Sequence, residues 1–194
     1  MGIEVIPGLV LNDDQFELAA AAVAEHAPDL APLTRDRFIS PGSWGAIPDD
    51  LGRTYKYELP LVRTPKRTVI LHDWVLGDRR GREEPKPHGH PWDFASYVLT
   101  GGYDEDRYEL VDGAVREELG VAHRAGQINA VPRAVYHEVL EVHEPGNTLT
   151  LIVCGHGVGG DWGYLDTITG EHTPTQRDPD FSARYAALNP HLAA

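Results

Sequence analysis

A chain of 194 residues, 41% of them hydrophobic, is long enough to bury one real core and has the size of a single domain. Its formal charge of -13, from 17 basic and 30 acidic residues, argues against nucleic-acid and anionic-membrane partners, which are held by clustered Lys and Arg. With Cys154 as the single cysteine no intramolecular disulfide can form, and 20 Gly with 15 Pro point to strands and turns rather than to long helices.

The opening MGIEVIPGLVLNDD has no basic region followed by an apolar core, and no apolar run reaches the ~20 residues of a spanning helix. A cytoplasmic, reducing location without membrane association is the expectation. A helix is expected through DDQFELAAAAVAEHA, capped by Asn12 or Asp13 and closed by Pro28 and Pro32. Residues 33–58 read as a loop-like arm with short edge strands. From residue 57 onward strands succeed one another: YELPLVR, RTVILHDWVL, a histidine strand over 88–100, then EDRYEL and AVREEL joined at Asp112-Gly113 as a tight hairpin. GQINAV, VYHEVLEV and TLTLIVCG follow, and DPDFSARYAALNPHLAA suggests a closing helix. Because no helices intervene between these strands, an all-β sandwich or barrel is expected rather than a parallel sheet. The expected organisation is one domain: residues 1–55 an N-terminal helix and arm, 56–165 a barrel, 166–194 a C-terminal tail. Arg79, Arg80 and Arg82 form the densest basic run, but their glycine and acidic neighbours mark a solvated loop.

The chemistry concentrates in PKPHGHPWDF and GQINAVPRAVYHEV. Residues i and i+2 of a strand share a face, so His88 and His90 can present two imidazoles to one ion, with His137 as a third from a neighbouring strand. Imidazole nitrogen suits Fe, Zn, Cu and Ni alike, so donor type does not name the ion. GHGVGG formally contains GxGxxG, at Gly155, Gly157 and Gly160, but DWGYLDTITG follows it rather than a helix, which argues against a dinucleotide site.

The two segments together resemble the cupins, small jelly-roll barrels whose paired motifs supply metal ligands. Gly81, His88, His90, Phe94 and Gly101 stand at the spacings of the first motif, with Phe94 where a Glu is usual. Gly126, Pro132, Ala134, His137 and Glu141 stand at those of the second, with Ala134 for Gly and Glu141 for Asn. The resemblance covers about residues 60–156 and implies a double-stranded β-helix. It also implies a site of three histidines similar to that of the thiol dioxygenases, with Fe(2+) favoured and Zn, Mn, Ni or Cu as alternatives. PHGHPWDF and DWGY further resemble a less characterised bacterial cupin group, which suggests structural roles for Asp93 and Trp162 near the barrel mouth.

On an unbroken strand Phe94 and Ser96 face inward with the histidines and line the substrate pocket, while Asp93 faces out. A bulge at Pro91–Trp92 would instead aim Asp93 at the metal as an additional ligand. Arg63, and after it Arg67, precede the histidines at the interval where thiol dioxygenases carry a carboxylate-binding arginine. His72, in an otherwise apolar strand, and His156, two residues from Cys154 where the family has Ser-x-His-x-Tyr, are the candidates for proton transfer. Here Val158 replaces that tyrosine. The expected function is an iron(II) oxygenase acting with O2 on a small carboxylate-bearing metabolite, in a chain that can pair as a homodimer through sheet edges. The alternatives are a metal-dependent lyase or isomerase and a non-catalytic small-molecule-binding cupin.

Overall fold

The structure, a computed structural model, describes residues 2–64, 66–78, 86–157, 162–175 and 178–192. The basic run at Arg79–Arg80–Arg82, the motif glycine Gly81, and Val158 and Gly160 lie outside the described residues.

The chain opens with a hairpin, β1 (Ile3–Ile6) and β2 (Leu9–Leu11), and helix α1 (Asp13–His26). Asn12 caps that helix in a reciprocal box, its side chain accepting from the Gln15 N–H at 2.9 Å while the Gln15 side chain accepts from the Asn12 N–H at 2.9 Å. The short helix α2 (Arg35–Phe38), a 3-10 turn (Pro41–Ser43) and β3 (Gly45–Pro48) follow. The arm expected to be loop-like is therefore core-forming, with Phe38 and Trp44 fully buried and the Trp44 indole N–H donating to the Phe38 carbonyl at 2.7 Å. Its turn residues, PGSWG and IPDDLG, mask how much apolar surface the segment contributes.

Then come β4 (Thr54–Thr64), β5 (Arg67–Trp74), β6 (His88–Gly89), β7 (Phe94–Val98), β8 (Gly102–Val111) and β9 (Ala114–Arg124). They are followed by β10 (Ile128–Val131), β11 (Val135–Val142), β12 (Thr148–Cys154), β13 (Gly163–Leu165), β14 (His172–Pro174) and α3 (Phe181–Leu188). One antiparallel sheet runs β10-β7-β12-β5-β4-β3 and the other β14-β13-β6-β11-β8-β9. From β5 to β12 the chain swaps sheets at every step except the β8–β9 hairpin, which is the double Greek key of a jelly roll. That hairpin turns at Asp112 and Gly113, both with positive φ (53° and 80°), the requirement that Asp-Gly meets most cheaply.

The histidine strand expected over 88–100 is two strands in different sheets. Pro91 lacks a backbone donor, pairing stops there, and the chain crosses from β6 to β7 between the two sheets.

The first sheet is covered on both faces. Tyr57, Leu59, Val69, Leu71, Leu149 and Leu151 pack outward against Leu9, Leu11, Ala19 and Val23 of the N-terminal layer, in the larger apolar cluster of the molecule. A smaller cluster of Tyr55, Trp74, Val98, Tyr103, Val139 and Val142 plugs one part of the barrel interior. Much of the apolar burial thus lies outside the barrel, and part of the interior is left for a cavity. No helix among the described residues is long and apolar enough to cross a membrane.

Candidate metal centre

β6 pairs with β11 so that His88 stands directly opposite His137, and His90 follows immediately after β6. The ligand atoms of His88, His90 and His137 lie within 4.8 Å of one another. His90 Nε2 and His137 Nε2 approach to 3.1 Å. Two nitrogens bound side by side on one ion at ~2.1 Å would stand about 3 Å apart, so this pair fits a shared cation.

The donor states fit as well. His137 Nδ1 lies 2.9 Å from Glu105 Oε2; donation there fixes the tautomer and leaves the Nε2 lone pair facing the centre. Burial first, then the neighbouring His137 and Lys56, hold His90 well below its ordinary range and so neutral, as a ligand must be. Its buried Nδ1 has no hydrogen-bond partner. His88 Nε2 is 3.8 Å from Asp78 Oδ2, whose other oxygen accepts from the Val139 N–H at 2.7 Å.

Glu105, which sequence reasoning missed, is the hub behind this wall. Its Oε1 receives Arg107 Nε at 2.6 Å, His123 Nε2 at 3.0 Å and Asn129 Nδ2 at 3.0 Å. Burial pushes its acid up, but hydrogen bonds from His123, His137 and Arg107 more than reverse that, and the carboxylate stays ionised. The available signal was alternation: Tyr103, Glu105 and Arg107 share one face of β8, and an acid between an aromatic and an arginine on an inward face needs partners.

The three imidazoles open into a cavity of about 600 Å³. Phe94 packs edge-on against the His90 ring (centroids 4.9 Å apart, planes at 81°), and Trp162 stacks on His88 at 6.1 Å. Ser96 is buried and accepts from the Tyr103 hydroxyl at 3.2 Å, which in turn accepts from Asn129 Nδ2 at 2.9 Å. Phe94, Ser96 and Cys154 all face the cavity, and burial pushes the Cys154 thiol up to about 11, so it is no ready thiolate.

Two expected roles are corrected. Asp93 is not aimed at the histidines: its Oδ1 accepts from the Arg133 N–H at 2.8 Å and ties the turn between β10 and β11. His156 lies beyond the end of β12 and is solvent-exposed, because the strand stops at Cys154 and the alternation that would have turned His156 inward stops with it.

The wall opposite the histidines is charged and internally compensated. His72 Nε2 lies 3.2 Å from Glu58 Oε1, and Glu58 also receives Lys56 Nζ at 3.1 Å and Arg63 at 3.1 Å. Burial first, then Lys56, lowers His72 to about 4, so its imidazole is neutral near pH 7. Burial pushes Glu58 up, but Lys56 above all, then His72 and Arg63, hold it well below the carboxylate range. Arg67 lines the same cavity while its guanidinium pairs with Asp29. Lys56, missed in the sequence, spans Tyr55 and Trp74 with its ammonium 5.4 and 5.0 Å from their ring centroids.

No protein-family model matches the chain, and no curated protein matches it. Solved structures do. HEPD of Streptomyces albus, with 2-hydroxyethylphosphonate and Fe(II) bound, aligns at 15% identity and TM-score 0.43 over 60% of this chain and 24% of its own. KdgF of a Halomonas species aligns at 16% and 0.36 over 53% and 82%, and a cupin superfamily protein of Desulfitobacterium hafniense at 14% and 0.34 over 52% and 76%. This chain thus spans about a quarter of HEPD's length. The solved neighbours include cupin-superfamily proteins, and the strand order and pairing described above make this chain, on their own, a jelly roll with a three-histidine cluster on its inner wall.

Proposed function

We propose that the protein is a metal-dependent oxygenase holding Fe(2+) through His88, His90 and His137 and acting with O2 on a carboxylate-bearing small molecule. The observation that carries this reading is a convergent set of three imidazoles, with no carboxylate in the cluster among the described residues, on the wall of a cavity. Iron(II), when bound by such a set, supplies a redox centre with coordination positions open to reactants.

The rest of the site follows from side chains of this chain. Lys56 and Arg63 both stand beside Glu58 on the wall opposite the histidines, where an ammonium and a guanidinium can meet an anionic head group. Phe94 and Trp162 flank the histidines with apolar surface and keep water from the reacting centre. His72, neutral and 3.2 Å from an ionised Glu58, can accept a proton while the carboxylate steadies the resulting cation. The same buried pair favours a second reading, a metal-dependent lyase or isomerase, in which His72 moves a substrate proton and oxygen takes no part.

The test is metal analysis and oxygen uptake on one preparation. Protein purified without chelating resin is expected to carry about one equivalent of metal, His137→Ala to lose it, and the iron-loaded form to consume O2 with a carboxylate substrate. Metal retained in His137→Ala defeats the site. Turnover that is equal in air and under argon, with bound zinc, favours the lyase or isomerase, and ligand-induced stabilisation without turnover leaves a binding protein.

A further inference from the structure

A second chamber of about 740 Å³ adjoins the histidine cavity and shares Tyr55, Lys56, Glu58, Arg63 and Trp162 with it. Its floor is Ile47 and Pro48 of β3, and its far wall is Phe181 and Tyr185 of α3. The two aromatic rings stack at 5.9 Å with 22° between their planes, and Phe181 remains 39% exposed, a large apolar side chain turned to an open space.

This wall is fixed in place. Asn189 substitutes for a neighbouring strand along the edge of β3, accepting from the Ala46 N–H at 2.6 Å and donating to the Ala46 carbonyl at 2.8 Å. His191 Nε2 bonds the Trp44 carbonyl at 2.9 Å. Gly45 allows the close approach: a Cβ there would stand 2.4 Å from the Tyr185 hydroxyl.

Size gives the argument its direction. At the ~30 Å³ that a water molecule occupies, 600 Å³ already admits about 20 non-hydrogen atoms, far more than a short hydroxy or thiol acid contains. Charge is concentrated where the chambers meet, at Lys56, Glu58 and Arg63, with metal ligands on one side and apolar rings on the other.

We propose that the substrate is an amphipathic monocarboxylate whose head group lies at Lys56 and Arg63, with its reactive end toward the histidines and an apolar tail of several carbons between Ile47 and Phe181. This deepens the oxygenase reading, resting on it for the position of the reactive end, while the tail chamber stands on its own geometry.

The experiment measures binding of butanoate, hexanoate and octanoate to the full chain by calorimetry, metal-free and iron-loaded. Burial of successive methylenes predicts about two- to fourfold tighter binding per carbon, hence at least about tenfold from butanoate to octanoate. Ile47→Trp, which fills the chamber, is expected to abolish that gain. Phe181→Ala, at a half-exposed position where misfolding is not at issue, is expected to reduce it severalfold. Equal affinity for all three acids, or a chain-length gain that survives both substitutions, overturns the proposal. So does a dimer that Phe181→Ala dissociates without any chain-length effect, which would make the face a subunit contact. Because the chain-length gain is read in metal-free protein too, its loss is distinct from failure of the metal site, which His137→Ala reports.

Discussion

Glu105 and Asp73 are both fully shielded from solvent, yet the fold treats them in opposite ways. Glu105, on the inner face of β8, is surrounded by His137, His123, Arg107 and Asn129 and stays ionised. Asp73, on β5, faces the apolar layer beneath α1, neither oxygen has a hydrogen-bond partner, and burial raises it to about 7. Burial alone therefore does not decide a carboxylate's charge; the number of donors built around it does. The fold spends its polar side chains behind the candidate metal ligand and leaves the acid in the structural layer uncompensated.

Removing the satisfied acid should have the largest effect. Glu105→Leu leaves Arg107 and two histidines without their shared acceptor, and a loss of about 3–5 kcal/mol is expected in urea unfolding. Glu105→Gln keeps the shape but turns an amide N–H toward existing donors, and it should weaken metal binding about 10- to 100-fold by calorimetric titration. Unchanged metal affinity in Glu105→Gln would make the network structural only.

For Asp73 the sign is reversed. Its carboxyl ionises near 3.8 in the unfolded chain and near 7 in the folded one, so between these values the folded state binds more protons and stability falls as pH rises. Asp73→Asn is therefore expected to stabilise the protein by up to about 4 kcal/mol at pH 8, at 1.36 kcal/mol per pH unit. The gain should shrink on acidification through pH 7 and vanish below about pH 4. Thermal unfolding of both proteins across that range reads the slope directly, and a gain independent of pH would show that ionisation is not its source.

The same contrast explains what could be read from the sequence. The jelly-roll strands, the Asp-Gly hairpin and the three histidines are local signals: alternation, turn chemistry and i, i+2 spacing need only a few residues of context. Glu105 lies in GGYDEDRYEL, where three consecutive acids look like a solvated face, and only the register of β8 against β9 and β11 selects the one that stands behind His137. Glu58 and Lys56 were hidden in the same way, the β4–β5 register placing Glu58 opposite His72 and Lys56 opposite Trp74. His156 was misjudged for a complementary reason: period-2 reasoning ran past Cys154, where pairing stops. For Asp93 the same alternation already turned the side chain away from the histidines, and only the bulge alternative aimed it at them.

Asp93 offers a smaller test of that point. Because its carboxylate serves the Arg133 N–H, Asp93→Ala should leave metal content unchanged and cost about 1 kcal/mol, the net worth of one such bond. A loss of metal in this variant would return Asp93 to the ligand set.

The mildest perturbation concerns the layer that shields Asp73. Asn12→Ala removes the cap on α1 and should cost about 1 kcal/mol. Cap and partner are both uncharged, so this cost should be the same at pH 4 and pH 8, unlike that of Asp73. If Asn12→Ala instead flattened the pH dependence, water would have reached Asp73 through a loosened α1, and the carboxyl would owe its high value to that helix staying docked. Comparing the pH slopes of Asn12→Ala and the parent therefore separates a helix that merely adds stability from one that also keeps the β5 acid dry.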